Sequence, residues 1–263
     1  MYFVGIDLAW SYRNTTGVAV LRNEGEKGLL VAWNERLRRD EEIVSFIEGA
    51  VGGSPALIAI DAPLVVPNET GTRPCDRELS RLFRRYEAGA HPANRRKFGG
   101  IVRGEELVQR LSERGFVHSP QVAPRKEVRQ VIEVYPHPAA ITLFGLEKTI
   151  KYKARPGRTY EFRWSEMNRY RRHLQALESA EPALEAREIL NQAPEGLKGQ
   201  ALKCLEDLLD ALFCAYIALY CWHWGPERYR VIGDLERGYI IVPNPVGCPL
   251  LRRISTAQNE ATR

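Results

Sequence analysis

Apolar residues along the chain fall into short continuous runs, separated by polar turns and by stretches with helical spacing. Runs of this kind, rich in β-branched and aromatic side chains, predict strands buried on both faces. They occupy residues 2–10, 15–21, 29–33, 56–60, 131–135, 229–232 and 239–242. The first three follow one another closely, which predicts an antiparallel meander. A helix lies between the third and the fourth, and such a crossover favours parallel pairing.

Apolar residues with i, i+3, i+4 spacing predict the helices. We expect Asp40 to cap the first helix and Asp76 to cap the second. The predicted helices cover residues 40–50, 76–86, 105–114, 138–144, 164–177, 182–190 and 199–224. The last is the longest, and from Leu208 onward it is apolar on nearly all sides, so we expect it to be packed inside the protein.

These elements predict an α/β fold in which one domain covers residues 1–250. Residues 64–130 interrupt the pattern and are interpreted as a helical insertion that forms a cap. Residues 148–198 are interpreted as a second helical segment, and the polar tail at 251–263 is expected to fray.

The composition narrows the class of protein. A chain of 263 residues with 44% hydrophobic residues is ordinary for a globular protein. The five cysteines are spread out with no Cys-x-x-Cys pair, which argues against a disulfide framework or a zinc site and favours reduced thiols. The amino terminus leads directly into a strand, and the longest apolar stretch, residues 208–222, is too short for a membrane span. We therefore expect a cytoplasmic protein without a membrane partner.

Several carboxylates fall where the pattern predicts burial. Asp7, Asp61 and Glu133 lie in or directly after predicted strands, and Asp210 lies on the apolar helix with Asp207 three residues before it on the same face. Clustered carboxylates repel one another unless cations neutralise them. Mg²⁺ prefers oxygen ligands, and two such ions about 3.5–4 Å apart activate water and stabilise the leaving oxygen in phosphodiester cleavage.

Each of these acids also has a purely structural interpretation. Asp7 and Asp61 are placed to cap turns, Glu133 to pair with an arginine, and Asp207 to lie in solvent at the edge of the apolar face. Asp210 is the hardest to explain in this way, because its neighbours in the sequence are apolar.

Two motifs resemble those of RuvC-like resolvases in the RNase H-like superfamily. The first is Gly5-Ile6-Asp7 followed by Thr16-Gly17-Val18-Ala19-Val20. The second is the run from Asp207 to Ala215, which is similar to the final helix of that superfamily, where two acids three residues apart precede small residues.

A wider set of motifs is similar to the family called domain of unknown function 429, whose members are described as predicted RNase H-like nucleases. These motifs extend over nearly the whole chain and are Ile60-Asp61-Ala62-Pro63, Arg73-Pro74-Cys75-Asp76-Arg77, Glu133-Val134-Tyr135-Pro136 and Tyr239-Ile240-Ile241-Val242-Pro243.

This resemblance implies an RNase H-like mixed sheet of five strands, the first three antiparallel, with helices on both faces. It also implies that Asp7, Asp61 and Asp210 are metal ligands and catalytic residues, with Asp207 beside them, and that Glu133 is the family's own acid. The superfamily commonly has Glu at the position of Asp61, so a shorter side chain stands there in this chain. The insertion has no counterpart in simple RNase H proteins.

Basic residues suggest where a polyanion would bind. The chain has 38 basic and 33 acidic residues, a net charge of +5, which permits such a partner without requiring one. One predicted helix carries Arg77, Arg81, Arg84 and Arg85 on its polar face, and residues 148–172 mix cations with aromatics. Both patterns suit nucleic acid, and both also suit an ordinary solvated surface. We expect Arg73, Asp76, Arg77 and Arg81 to contribute to substrate binding.

The leading hypothesis is a nuclease that depends on Mg²⁺ or Mn²⁺ and hydrolyses phosphodiester bonds in DNA or RNA by a two-metal mechanism. In this hypothesis Asp7, Asp61, Asp207 and Asp210 bind the metal. Glu133 is a further catalytic residue, which binds the metal or orients its water. One alternative is an enzyme that handles nucleotide phosphates, such as a kinase or ATPase, because that fold shares the same core. Another is a non-catalytic nucleic-acid-binding module, in which Asp210 would need a cationic partner.

Overall fold

A computed structural model describes residues 1–248. Its main feature is a mixed sheet of seven strands in the order β5-β6-β4-β1-β2-β3-β7. The strands are β1 (Tyr2–Asp7), β2 (Thr16–Glu24), β3 (Lys27–Leu37), β4 (Ala56–Ile60), β5 (Val117–His118), β6 (Arg129–Glu133) and β7 (Ala183–Glu185). Two further strands, β8 (Tyr229–Asp234) and β9 (Gly238–Pro243), form a separate antiparallel hairpin.

The centre of the sheet confirms the predicted strand directions. β1 pairs antiparallel with β2, and β2 pairs antiparallel with β3. On its other side β1 pairs parallel with β4, and β4 pairs parallel with β6. Because β1, β4 and β6 run the same way, their carboxyl ends lie at one edge of the sheet.

Seven α-helices accompany these strands in the part of the chain that the structure describes. They are α1 (Asp40–Val51), α2 (Pro74–Phe83), α3 (Arg103–Ser112), α4 (Pro136–Phe144), α5 (Tyr160–Ala176), α6 (Arg187–Leu190) and α7 (Gly199–Trp224). Short 3-10 turns occur at Arg84–Tyr86, Arg95–Phe98, Leu177–Ser179 and Pro226–Arg228.

Helices cover both faces of the sheet, as predicted. Alternate residues of β1 point to opposite faces, so Phe3 belongs to the core formed with α7, while Val4 and Ile6 belong to the core formed with α1 and α3. From Leu202 to His223 nearly every residue of α7 is buried, which confirms that this helix lies inside the protein.

Three local predictions were wrong. The sheet has seven strands rather than five, because the very short strands β5 and β7 extend its two edges. The helix expected at 182–190 is instead the strand β7 followed by the single turn α6. Asp40 and Asp76 do not cap their helices; Arg39 and Arg73 occupy the capping positions, and both acids lie buried in the first turn.

No helix within residues 1–248 combines the length and the apolar character that crossing a membrane requires. The tail expected to fray at 251–263 lies outside the described residues.

Candidate active site

Two of the predicted carboxylates meet at the edge of the sheet where the parallel strands end. Asp7 is the last residue of β1, and Asp61 directly follows β4. In the parallel register Ile6 pairs with Ile60, and the Asp61 main-chain N–H donates to the Ile6 carbonyl at 2.8 Å. The pairing of β1 with β4 therefore places Asp7 and Asp61 side by side.

The helix α7 brings Asp207 and Asp210 to the same edge. Its backbone passes very close to β2, since a Cβ at Gly17 would lie 2.4 Å from the Asp207 carbonyl oxygen. Gly17 is also the partner of Asp7 in the β1–β2 register. Both helix acids are buried, and the Asp210 side chain is 0% exposed.

Asp7 and Asp61 line a cavity of about 430 Å³ that opens beside them. Trp10, Tyr135 and His137 contribute further wall residues. Four cations also line it, all from the mixed cationic and aromatic segment at 148–172: Lys151, Lys153, Arg155 and Arg158. The cavity therefore combines carboxylates, aromatic rings and positive charge, within the size range of small-molecule sites.

Lys153 reaches from this segment into the acidic cluster. Its Nζ lies 2.8 Å from Oδ2 of Asp210, while the Tyr152 hydroxyl donates to Oδ1 of the same carboxylate at 2.5 Å. Within residues 1–248, Oδ2 has no well-aligned hydrogen bond, so the contact with Lys153 is an ion pair. Burial raises the pKa of Asp210, but Lys153, His137 and Tyr152 together outweigh it, and the pKa lies below its usual range.

Burial and mutual repulsion disfavour ionisation of the other acids in the cluster. Burial and the neighbouring charge of Asp7 raise the pKa of Asp61 well above its usual range, partly opposed by Lys153. Burial and Asp7 likewise raise the pKa of Asp207 to about 9, although Lys203 forms an ion pair with it. Asp207 Oδ2 has no hydrogen-bond partner among the described residues. A cation would relieve this repulsion.

The donor set fits a hard divalent cation. Within residues 1–248, neither Asp7 nor Asp61 forms an ion pair with a side chain. Mg²⁺ is commonly held by one or two carboxylates while it keeps several waters. In the same range, however, no three of the predicted acids have ligand atoms all within 4.8 Å of one another. The fit is therefore to a water-rich ion on two carboxylates, not to a closed cage.

Glu133 and Arg73 form a buried ion pair with each other. Both carboxylate oxygens of Glu133 accept from Arg73, at 2.7 and 3.0 Å, and Oε2 also accepts from the main-chain N–H of Leu64 at 2.8 Å. Arg73 pairs with Asp76 as well and is 1% exposed. These residues form a closed network beside the cavity, which is the arginine pairing that the sequence left open for Glu133.

The exposed arginines of α2 lie apart from the cavity. Arg81 pairs with Glu78 on the surface, and neither Arg77 nor Arg81 contributes to the cavity wall. The sequence indicated that residues 148–172 were suited to nucleic acid but gave no individual role to Lys153 or Arg155. The ion pair with Asp210 of α7 identifies Lys153, and the cavity wall identifies Arg155.

A second group of possible ligands lies at the opposite end of the sheet, at the turn between β2 and β3. Glu26, Glu181 and His223 place potential ligand atoms within 4.8 Å of one another. Arg125 already donates to both oxygens of Glu26, at 2.9 and 2.8 Å. The positive charge beside Glu26 therefore comes from the Arg125 guanidinium.

Comparison with known proteins identifies one family. The family model described as "Protein of unknown function (DUF429)" matches residues 5–237. No curated protein and no solved structure gives a significant match to the chain.

Proposed function

The chain belongs to the DUF429 family, and from that premise we propose that it is an RNase H-like nuclease that depends on Mg²⁺ or Mn²⁺ and hydrolyses phosphodiester bonds in DNA or RNA. The observation that carries the proposal is the pair Asp7 and Asp61, two carboxylates without ion pairs in the described chain, which face a cavity with a cationic wall.

The topology supports the RNase H-like part of the proposal. The central strands run in the order β3-β2-β1-β4-β6, with the first three antiparallel, as the family resemblance implies. The final helix α7 crosses β1 and places Asp207 and Asp210 at the carboxyl end of that strand. The edge strands β5 and β7 are additions to this arrangement.

The chemistry follows from the residues at the site. A bound Mg²⁺ or Mn²⁺ supplies an activated water and neutralises charge on the phosphate, and Asp7 and Asp61 would hold it. Arg155 offers a cation to the phosphate at the cavity wall, and the ring of Trp10, which is 42% exposed, offers a surface on which a base can stack. Lys97 lies over this ring, with its Nζ 4.9 Å from the ring centre, and adds positive charge there.

Two observations favour other functions. The cavity volume of about 430 Å³ suits a single nucleotide, which favours an enzyme that handles nucleotide phosphates. Lys153 also supplies the cationic partner that Asp210 would need in a non-catalytic binding module. One assay distinguishes a nuclease from both of these alternatives.

That assay incubates purified protein with Mn²⁺ or Mg²⁺ and end-labelled single-stranded and double-stranded DNA and RNA. We expect cleavage by the wild type, and a loss of at least about 100-fold in Asp7→Asn and Asp61→Asn, because removal of a ligand costs at least as much as removal of a residue that supports one. Glu78→Gln, an exposed acid on α2, is the control and should retain activity. Wild-type protein that cleaves none of the four substrates with either ion would refute the nuclease.

A further inference from the structure

The ammonium group of Lys153 lies where carboxylates from three elements converge. Its Nζ is 2.8 Å from Asp210 on α7, and it shares the cavity wall with Asp7 of β1 and Asp61 after β4. Lys153 is therefore a cation that pairs with Asp210 and also lines the cavity beside Asp7 and Asp61.

The chain holds Lys153 firmly in this position. The Arg158 guanidinium donates to the carbonyl oxygens of Lys151 and Lys153, at 3.0 and 2.8 Å. Tyr152 lies between these two lysines in the sequence. Its carbonyl accepts a hydrogen bond from Arg163 at 3.0 Å, and its hydroxyl donates one to Asp210. Contacts on the three successive residues fix the segment, so the ion pair with Asp210 is part of the fold and not a chance surface contact.

These contacts leave little of Asp210 for a metal ion. Tyr152 occupies one oxygen and Lys153 the other, and the side chain is fully buried. Buried Glu206 shares Lys203 with Asp207 and also pairs with Arg163. When Asp7, Asp61, Glu206, Asp207 and Asp210 are all ionised they carry five negative charges, and Lys153, Lys203 and Arg163 supply three positive ones. The two negative charges that remain equal in size the charge of one divalent ion.

We propose that Lys153 takes the place of the second divalent ion, so that the site binds one ion at Asp7 and Asp61 and uses the lysine as its second positive charge beside Asp210. This inference rests on the proposed function only in requiring that a divalent ion binds there. It replaces the two-ion arrangement that the sequence predicted.

The test counts bound Mn²⁺ by calorimetric titration and by electron paramagnetic resonance, without any nucleic acid. We expect one ion per chain in the wild type and in Lys153→Arg, which keeps the charge. Lys153→Met keeps much of the side-chain volume but removes the charge, so it should bind two ions, because Asp210 is then free to serve as a ligand.

Two ions in the wild type, or one ion in folded Lys153→Met, would overturn the assignment. The wild-type count requires no substitution, so it decides the question even if Lys153→Met does not fold. Protein that binds one ion and cleaves nothing would refute the nuclease and leave the Lys153 assignment standing. Protein that binds two ions and cleaves nucleic acid would refute the assignment alone, and protein that binds none would refute both.

Discussion

Gly5 of β1 lies directly against the backbone of Ala211 in α7. A Cβ at Gly5 would stand 1.9 Å from the Ala211 carbonyl oxygen and 2.2 Å from the main-chain nitrogen of Ala215. The absence of a side chain at Gly5 therefore sets how closely the helix approaches the sheet. Because Asp7 follows two residues later and Asp210 precedes Ala211, the same contact sets the spacing of the acidic cluster.

Gly5→Ala should destabilise the protein strongly. The new methyl group would meet backbone atoms, which no rotamer change can move, so we expect a loss at or above the upper end of the 1–3 kcal/mol that overpacking usually costs, that is about 3 kcal/mol or more. Urea unfolding of the purified variant measures it.

Gly49→Ala is the matched control for this substitution. Gly49 is exposed on α1, and a Cβ there meets no atom within 4 Å. Alanine should stabilise the helix by about 0.5–1 kcal/mol. Equal stability of the two variants would show that α7 shifts easily on the sheet.

Arg73→Met should also destabilise the protein. Arg73 is the shared partner of the buried carboxylates of Asp76 and Glu133, each with an oxygen 2.7 Å from its guanidinium. Removal of one partner from a buried ion pair costs about 3–5 kcal/mol, because it leaves uncompensated charge behind. The free energy of unfolding in urea at pH 7 measures this cost.

Arg81→Met controls for the loss of an arginine on the same helix. Arg81 pairs with Glu78 at the surface, where both side chains are well exposed. Exposed pairs contribute about 0–1 kcal/mol, so this variant should unfold near the wild-type midpoint. If Arg73→Met matched it, the Arg73 network would contribute little to the fold.

The part of the fold that could be predicted rests on local patterns. The runs that form β1, β2, β3 and β4 are continuously apolar and bounded by polar turns, and the apolar surface of α7 is continuous around the helix. Strand β7 has only three residues and is followed at once by a helical turn, so its pattern could not be told from that of a helix. Strand β5, with two residues, has no measurable period.

The candidate site could also be predicted from the sequence only in part. Asp7 and Asp61 could be placed together because parallel neighbouring strands end at one edge. The assignment of Glu133 depended on which arginine folds next to it, and Arg73 is 60 residues away in the sequence. Lys153 reaches Asp210 through a loop with no regular period, and periodicity carries no information about such contacts.

Acid should destabilise the protein through His118. This side chain on β5 packs against the Tyr239 ring with 5.5 Å between ring centres, and its Nε2 is buried without a hydrogen-bond partner in the described chain. Burial lowers the pKa of His118 from 6.5 to about 4. The unfolded chain therefore binds a proton at a higher pH than the folded chain, and the stability present above pH 6.5 is lost as the pH falls toward 4.

Urea unfolding at several pH values between 7 and 4.5 measures this effect. His118→Gln cannot titrate in this range, so the difference in unfolding free energy between the wild type and the variant should shrink or reverse as the pH falls. Other groups titrate in both proteins and cancel in the difference. A difference that does not change with pH would show that His118 is protonated as readily in the folded chain as in the unfolded one.

Arg155, and not the arginines of α2, should bind the phosphates of a nucleic acid. Arg155 is exposed at the cavity wall and has no ion pair among residues 1–248, whereas Arg81 is engaged with Glu78 outside the cavity. Binding of a labelled single strand, measured by fluorescence anisotropy with EDTA present to prevent cleavage, should weaken in Arg155→Gln. The slope of log affinity against log salt should also fall by about 0.7–1, the change for one lost phosphate contact.

Arg81→Gln should leave both quantities near their wild-type values. The reverse result would move the binding surface to the basic face of α2, as the sequence pattern first suggested.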